Sequence, residues 1–148
     1  MELIAELKDK KAEMASWRQH LHQFPEAAYE EEMTSDFVAE KLKSFGVEVH
    51  RGLGKTGVVG VIQGQDSGNG GSPSIGLRAD MDALPMEEQT NLAYASRHAN
   101  RMHACGHDGH TTMCSARRNI WQSIVILLAR FTAFSSRQKR VVMQAQGP

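Results

Sequence analysis

The feature that most constrains the fold of this chain is a near-continuous apolar run, GVVGVI (57–62). Such a run is typical of a strand buried on both faces, as in sheets covered by helices. Two amphipathic helices are predicted before it, over residues 2–22 and 34–45, and a further short strand is predicted at 74–78. Helices followed by buried strands predict an α/β fold, and 148 residues make one domain at most.

Proline and glycine mark the ends of these predicted elements. Pro25 ends the first helix, because a proline holds the preceding residue in an extended conformation. Thr34 or Ser35 is predicted to cap the start of the second helix, and Gly46 fits the left-handed position after its end. Residues 64–74 are rich in glycine and serine, which predicts a turn or flexible loop.

The net charge of zero hides a segregation of charge along the chain. Residues 1–113 hold all 17 acidic residues and 11 of the 17 Lys and Arg, whereas residues 114–148 hold six Lys and Arg and no acid. One interpretation of this tail is a basic segment for nucleic acid or anionic lipid. The other is that the tail was never selected as protein. No apolar leader or membrane span is predicted, and two cysteines give no disulfide framework, so a cytoplasmic location is expected.

The eight residues HACGHDGH (103–110) carry a thiol, three imidazoles and a carboxylate. Side chains at positions i and i+2 of an extended loop point the same way, and Gly106 allows a tight bend between Cys105 and His107. A thiolate and an imidazole suit zinc, manganese, cobalt or a similar divalent ion. In isolation such a pair is more often incidental, and its spacing does not match a structural zinc finger.

Two further groups have both a functional and a structural interpretation. Asp80 and Asp82 follow the predicted strand 74–78, where ligands gather in open α/β sheets, and they either bind a cation, orient a histidine or form a polar loop. His20 and His22 close the first helix, where the helix dipole favours a cation. We interpret these histidines as structural groups or as residues at the rim of a substrate site.

Four stretches together resemble one family of enzymes. Residues 1–113 are similar, almost continuously, to the N-terminal part of the hippurate hydrolase and auxin-conjugate amidohydrolase family, which belongs to the dinuclear-metal peptidases that include the aminoacylases. The pairing of RADMDALP with HACGHDGH is the most specific part of this resemblance. The four stretches are WRQHLHQFPE (17–26), GLGKTGVVGVI (52–62), IGLRADMDALPMEE (75–88) and YASRHANRMHACGHDGHTTM (94–113).

The resemblance implies a metal-dependent hydrolase of the amide bond of N-acyl amino acids, with an α/β catalytic domain whose mixed sheet is flanked by helices. Cys105 and His107 carry over as metal ligands, and Asp80 as an acidic residue beside the metal site. The parent is expected to use two divalent ions (Mn, Zn, Co or Ni), to form a homo-oligomer, and to have no nucleic-acid or membrane partner. Residues expected to contact substrate or support the ligands are His103, His110, Asp108 and Asp82.

The resemblance stops at Met113. In the family a later P-x-E-E segment supplies a general-base glutamate, further ligands follow it, and a lid or dimerisation domain is inserted; none of these is found in residues 114–148. Synonymous codons can be chosen so that one added base after the Met113 codon turns the tail into a family-like continuation containing P-E-E. We therefore predict that 1–113 is the N-terminal part of a catalytic domain, that 114–148 is a frameshift product, and that the chain is an inactive fragment.

Two alternatives make different predictions for the tail. In the first, the chain is a non-catalytic metal-binding or interaction module, and IWQSIVILLARF (120–131) forms a genuine helix. In the second, the tail binds nucleic acid in a salt-dependent way. Its basic residues are scattered and its aromatic residues few, which disfavours the second alternative.

Overall fold

The structure is a computed structural model that describes residues 8–62, 76–116 and 124–128. The described elements alternate between helices and short strands along the chain. They are α1 (Lys11–Gln23), α2 (Glu32–Ser44), β1 (Glu48–Leu53), β2 (Gly57–Ile62), β3 (Gly76–Ala79), α3 (His107–Ala116) and β4 (Ile124–Leu128). This mixed α/β arrangement confirms the predicted fold class.

The strands form one sheet in the order β1-β2-β4-β3. β1 and β2 make an antiparallel hairpin, β4 runs antiparallel to β2, and β3 runs parallel to β4. The apolar run that predicted a buried strand is β2, which pairs on both sides and buries Gly57, Val58 and Gly60. β3 ends at Ala79, so Asp80 lies directly after the carboxyl end of this strand.

The core lies where α2 and α3 cover the sheet. Val38 and Leu42 of α2 are fully buried, and they belong to one cluster with Val58 of β2 and Met81, which follows β3. Apolar burial of this kind is the main favourable contribution to folding. α1 packs on α3, and its Trp17 ring meets the Phe45 ring at the end of α2, 5.8 Å between centroids. α1 therefore packs against the helix that begins within the HACGHDGH segment.

The helix ends differ in part from the predictions. α1 begins at Lys11 within the described residues and ends at Gln23, before Pro25 as predicted. Residues 1–7 lie outside the described part of the chain, as does the predicted loop 64–74. Gly46 has the predicted left-handed conformation, with φ of 69°.

The predicted cap of α2 is wrong. The helix begins at Glu32, so Thr34 and Ser35 lie inside it, and its N-cap residue Glu31 makes no capping hydrogen bond with its side chain. The carboxylate of Glu26 serves instead, since it accepts hydrogen bonds from the amides of Met33 and Thr34 at 3.0 and 2.7 Å. The cap comes from the preceding loop, which a local sequence pattern does not reveal.

The tail differs from the helical alternative. Ile124–Leu128 is a strand and not part of a helix, because β4 pairs with β2 along its whole length and with β3 from Val125 onward. α3 also continues to Ala116, so the predicted boundary at Met113 falls within a helix. Residues 117–123 and 129–148 are outside the described part. Within the described residues, no helix has the length and apolar character needed to cross a membrane.

Candidate metal-binding site

A backbone bridge brings the two chemically distinctive segments together. The amide of Leu84 donates to the carbonyl of Met102 at 2.9 Å, and the amide of Met102 donates to the carbonyl of Leu84 at 3.0 Å. The bridge closes the loop between Leu84 and Met102. Asp82, two residues before Leu84, and His103, directly after Met102, therefore lie close together. The sequence predicted both segments as site-bearing, and the bridge is what places them next to each other.

Gly106 forms the bend between the two predicted metal ligands. Its φ of 79° lies in the left-handed region, which glycine adopts without steric cost. Its carbonyl accepts hydrogen bonds from the amides of Gly109 and His110 at 3.0 and 3.1 Å, which starts the first turn of α3. Cys105 therefore lies before the helix with an exposed thiol outside any disulfide, and His107 is the first helical residue.

His107 is oriented by the segment that follows β3. Its Nδ1 lies 2.8 Å from the carbonyl oxygen of Asp82 and 3.2 Å from the Asp82 carboxylate. Both of these groups accept, so the Nδ1 proton is held there and Nε2 of the neutral ring keeps its lone pair. Metal-binding histidines are commonly fixed in this way through the nitrogen that does not bind the metal.

The remaining acidic and basic residues of the prediction occupy different surroundings. Asp80 is half-buried, its carboxylate accepts a hydrogen bond from Arg78 at 2.6 Å, and its carbonyl accepts one from Thr111 Oγ1 at 3.0 Å. Asp80 therefore ties the end of β3 to α3. His110 is exposed, with its ring 5.8 Å from that of His107.

His103 is buried, only 4% exposed, and neither ring nitrogen has a hydrogen-bond partner among the described residues. Burial lowers its pKa to about 4, because the charged ring is poorly solvated there. The neighbouring His22 and His107 lower the pKa further, while Asp108 and Asp82 oppose the shift. His103 is therefore a neutral imidazole near pH 7, with two polar atoms that water or a ligand would satisfy.

Asp108 lies at the centre of a buried polar network. Its Oδ2 accepts hydrogen bonds from Arg18 Nε at 3.0 Å and from His22 Nδ1 at 2.8 Å, and the other nitrogen of His22 lies 3.1 Å from the Glu88 carboxylate. Burial raises the pKa of Asp108, but hydrogen bonds from His22 and the Gly109 amide, with the positive charge of Arg18, outweigh it and hold that pKa below its usual range.

Glu88 resembles Asp108 in this respect. Burial raises its pKa, and hydrogen bonds from Thr90, the Ser96 amide and His22 outweigh that effect, so the pKa is lowered. The sequence does not predict Glu88 as a site residue. It predicts His22 only as a structural group or as a residue at the rim of a substrate site. The one sequence signal was the spacing of Arg18 and His22, four residues apart on one face of α1.

Known proteins are similar to the part of the chain that carries this site. Residues 76–120, which include both segments of the site, match the model of peptidase family M20/M25/M40. The chain is 54% identical over 112 residues to a hippurate hydrolase from Campylobacter jejuni and 43% identical over 115 residues to an N-acyl-L-amino acid amidohydrolase from Geobacillus stearothermophilus. The chain belongs to the M20 peptidase family.

The M20 resemblance extends to solved structures. The fold superposes with a TM-score of 0.69 on the Bacillus subtilis YXEP protein, described as a dinuclear metal binding peptidase from the M20 family, with 34% sequence identity over 82% of this chain. The matches to the two curated relatives include 76% and 77% of this chain but only 28% and 30% of the relatives' lengths. The match to YXEP includes 35% of the YXEP chain. It therefore spans about a third of an M20 protein. The predicted boundary at Met113 lies inside the family match.

The donors that the M20 chain presents fit a part of a metal shell. A thiol at Cys105 and an available Nε2 at His107 are ligand types that Zn²⁺ and similar ions bind, and the ring nitrogens of the nearby His103 have no hydrogen-bond partner among the described residues. Within residues 8–62 and 76–116, however, no group of three or more His, Cys, Asp or Glu side chains is arranged to hold an ion. A catalytic zinc site has three protein ligands, so further ligands must come from elsewhere.

Proposed function

We propose that the protein represented by this chain hydrolyses the amide bond of N-acyl amino acids, with divalent metal ions held in part by Cys105 and His107. The observation that carries the proposal is the orientation of His107 by Asp82, which leaves Nε2 available one glycine away from an exposed thiol. The names of the relatives, a hippurate hydrolase and an N-acyl-L-amino acid amidohydrolase, support this substrate class.

Each residue of the site has a distinct part in this proposal. A bound divalent ion lowers the pKa of a coordinated water and polarises the scissile carbonyl. Asp82 holds the Nδ1 proton of His107 and so fixes its tautomer, and Asp80 fixes the position of α3 against β3. The neutral ring of His103 offers a hydrogen bond to substrate or water, and the exposed His110 lies where substrate would approach.

We propose further that residues 114–148 are read out of frame and that the chain as given does not turn over substrate. The acid-free composition of this segment supports the first statement. The incomplete ligand set of the described residues and the absence of a P-x-E-E segment from residues 114–148 support the second. Without a general base near the metal, proton transfer from the attacking water loses a contribution of about 10²–10⁴-fold in rate.

The test compares two proteins made from the same gene, one as given and one with a single base added after the Met113 codon. Hydrolysis of hippurate and of N-acetyl amino acids is measured with Mn²⁺, Zn²⁺, Co²⁺ or Ni²⁺. We expect turnover only by the second protein and its loss in a Cys105→Ala variant. Comparable turnover by the chain as given would overturn the inactivity, and no hydrolysis by the restored protein with any metal would overturn the proposed activity.

A non-catalytic metal-binding module is the second candidate, and one observation favours it. β4 pairs on both sides within the sheet, so residues 124–128 of the tail take a place in the fold, as a strand. A module of this kind would be monodisperse and would bind a divalent ion tightly without hydrolysing substrate. Sedimentation of the chain as given, with and without Zn²⁺, distinguishes this candidate from an aggregating fragment.

A further inference from the structure

The ring of His22 bridges two buried carboxylates. Its Nδ1 lies 2.8 Å from Asp108 Oδ2 and its Nε2 lies 3.1 Å from Glu88 Oε1, and the three side chains are 5%, 0% and 3% exposed. A carboxylate only accepts hydrogen bonds, so each ring nitrogen must donate one. The doubly protonated ring is therefore the form that satisfies both contacts.

Charge balance within the network supports this form of His22. Arg18 lies one turn earlier on the same face of α1 and donates from Nε to the same oxygen of Asp108 at 3.0 Å. Two positive side chains then face two negative ones. Removing His22 leaves Asp108 paired with Arg18 alone, whose side chain is half exposed, and removes the ring that joins Asp108 to Glu88.

The two carboxylates belong to the two segments that meet at His107. Asp108 follows His107 directly in the first turn of α3, and Glu88 lies six residues after Asp82, which holds the His107 ring. His22 thus joins both segments from α1, which packs against α3. The hydrogen bonds of His22 in the described structure go to Asp108 and Glu88 and not to Cys105 or His107, so an effect on these ligands passes through the two carboxylates.

We infer that His22 is a positioning residue, which holds the Cys105–His107 loop in its metal-binding geometry by bridging Asp108 to Glu88. In so far as it concerns metal binding, this inference rests on the proposed function. Outer residues that orient metal ligands typically contribute about 10–100-fold in metal affinity. His22, which lies far before Cys105 and His107 in the sequence, would therefore contribute to metal binding without contacting the ion.

The experiment uses the whole 148-residue chain and Co²⁺ as the probe. His22→Gln keeps a polar side chain but cannot donate to both carboxylates. The matched control is His50→Gln, because His50 also pairs with a carboxylate, Glu48 at 3.2 Å, but on the exposed strand β1. Absorption from the cobalt–thiolate bond reports the affinity. We expect Co²⁺ to bind about 10–100-fold more weakly to His22→Gln, with altered ligand-field bands, and unchanged to His50→Gln.

A second measurement needs no metal. Amide hydrogen exchange is followed in the metal-free proteins at Gly109 and His110, whose amides donate to the Gly106 carbonyl, and at Val59 in the β1–β2 hairpin. Faster exchange at Gly109 and His110 with unchanged exchange at Val59 is the expected result for His22→Gln. Equal acceleration at all three amides indicates global destabilisation and overturns the inference.

The two measurements separate the inference from the proposed function. If the unaltered chain binds no Co²⁺, Cys105 and His107 do not hold an ion without the further ligands, and hydrogen exchange alone decides the role of His22. If the unaltered chain binds Co²⁺ and His22→Gln binds it equally well with the same spectrum, the positioning role fails while the metal site stands.

Discussion

At the scale of single residues, the site contains residues that are neighbours in the sequence and residues whose hydrogen-bond partners lie far away in the sequence. The local ones, Cys105, His107 and the glycine between them, are predicted from their spacing together with the family resemblance. The contacts of His22 are not, because its partners Asp108 and Glu88 lie 86 and 66 residues away and meet it only after folding. Sequence reasoning therefore predicts a ligand segment, which stays a prediction, and misses the polar network beside it.

Gly106 allows a direct test of the bend. Gly106→Ala places a side chain at φ of 79°, where the left-handed conformation costs about 1–2 kcal/mol for a residue with a Cβ. A Cβ at Gly106 or at Gly76 would meet no atom within 4 Å, but only Gly106 has a positive φ, so Gly76→Ala is the control. Urea unfolding should show the loss for Gly106→Ala alone; equal stabilities would contradict the left-handed bend.

His103 predicts a dependence of stability on pH. Its pKa is lowered from 6.5 to about 4 on folding, so the unfolded chain binds a proton first and stability falls as the pH drops from about 6.5 to about 4. The full shift corresponds to about 3 kcal/mol at most. Unfolding free energies of the metal-free chain, measured with a chelator at pH 7 and pH 4.5, test this. His103→Gln should show a flatter profile, and an unchanged profile would refute the assignment.

At the scale of elements, apolar patterns predicted both helices and the strands β2 and β3, but α1 begins at Lys11, well after the predicted start at residue 2. The strand β4 was not predicted because a short apolar run such as IVILL is equally consistent with a buried strand and a helix segment. Only pairing with β2 and β3 decides between the two. The cap of α2 was missed for a similar reason, because Glu26 lies outside the helix that it stabilises.

The contribution of Glu26 to α2 is measurable. Glu26→Ala removes the acceptor for the amides of Met33 and Thr34 and should lower the unfolding free energy by about 1–2 kcal/mol. Glu32→Ala is the control, because Glu32 is an exposed acid in the first turn whose interaction with the helix dipole contributes about 0.3–1 kcal/mol. The control effect should decrease with added salt. A smaller loss for Glu26→Ala than for Glu32→Ala would be inconsistent with the remote cap.

At the scale of the whole molecule, the tail has two properties that point in different directions. Its lack of acidic residues predicts a segment with no history as protein, yet β4 lies between β2 and β3. A fragment lacking that strand would expose unpaired edges on β2 and β3 and would tend to associate with other copies. The outer strands of the described sheet are instead β1 and β3.

Two shortened chains test whether β4 stabilises the fold. A chain ending at Ala116 keeps α3 but loses β4, and a chain ending at Leu128 keeps both. We expect the first to aggregate in light scattering and size-exclusion chromatography, and the second to behave as the 148-residue chain does. A monomeric, cooperatively folded chain ending at Ala116 would show that β4 contributes little.

The contact between His22 and Asp108 also has a consequence in time. Because these residues are 86 positions apart, a ribosome that adds about 5–20 residues per second exposes α1 several seconds before Asp108 is made. The ligand loop is thus synthesised after the helix onto which it docks. A chain that is stopped between Glu88 and Asp108 and then released would contain one carboxylate partner of His22 and lack the other.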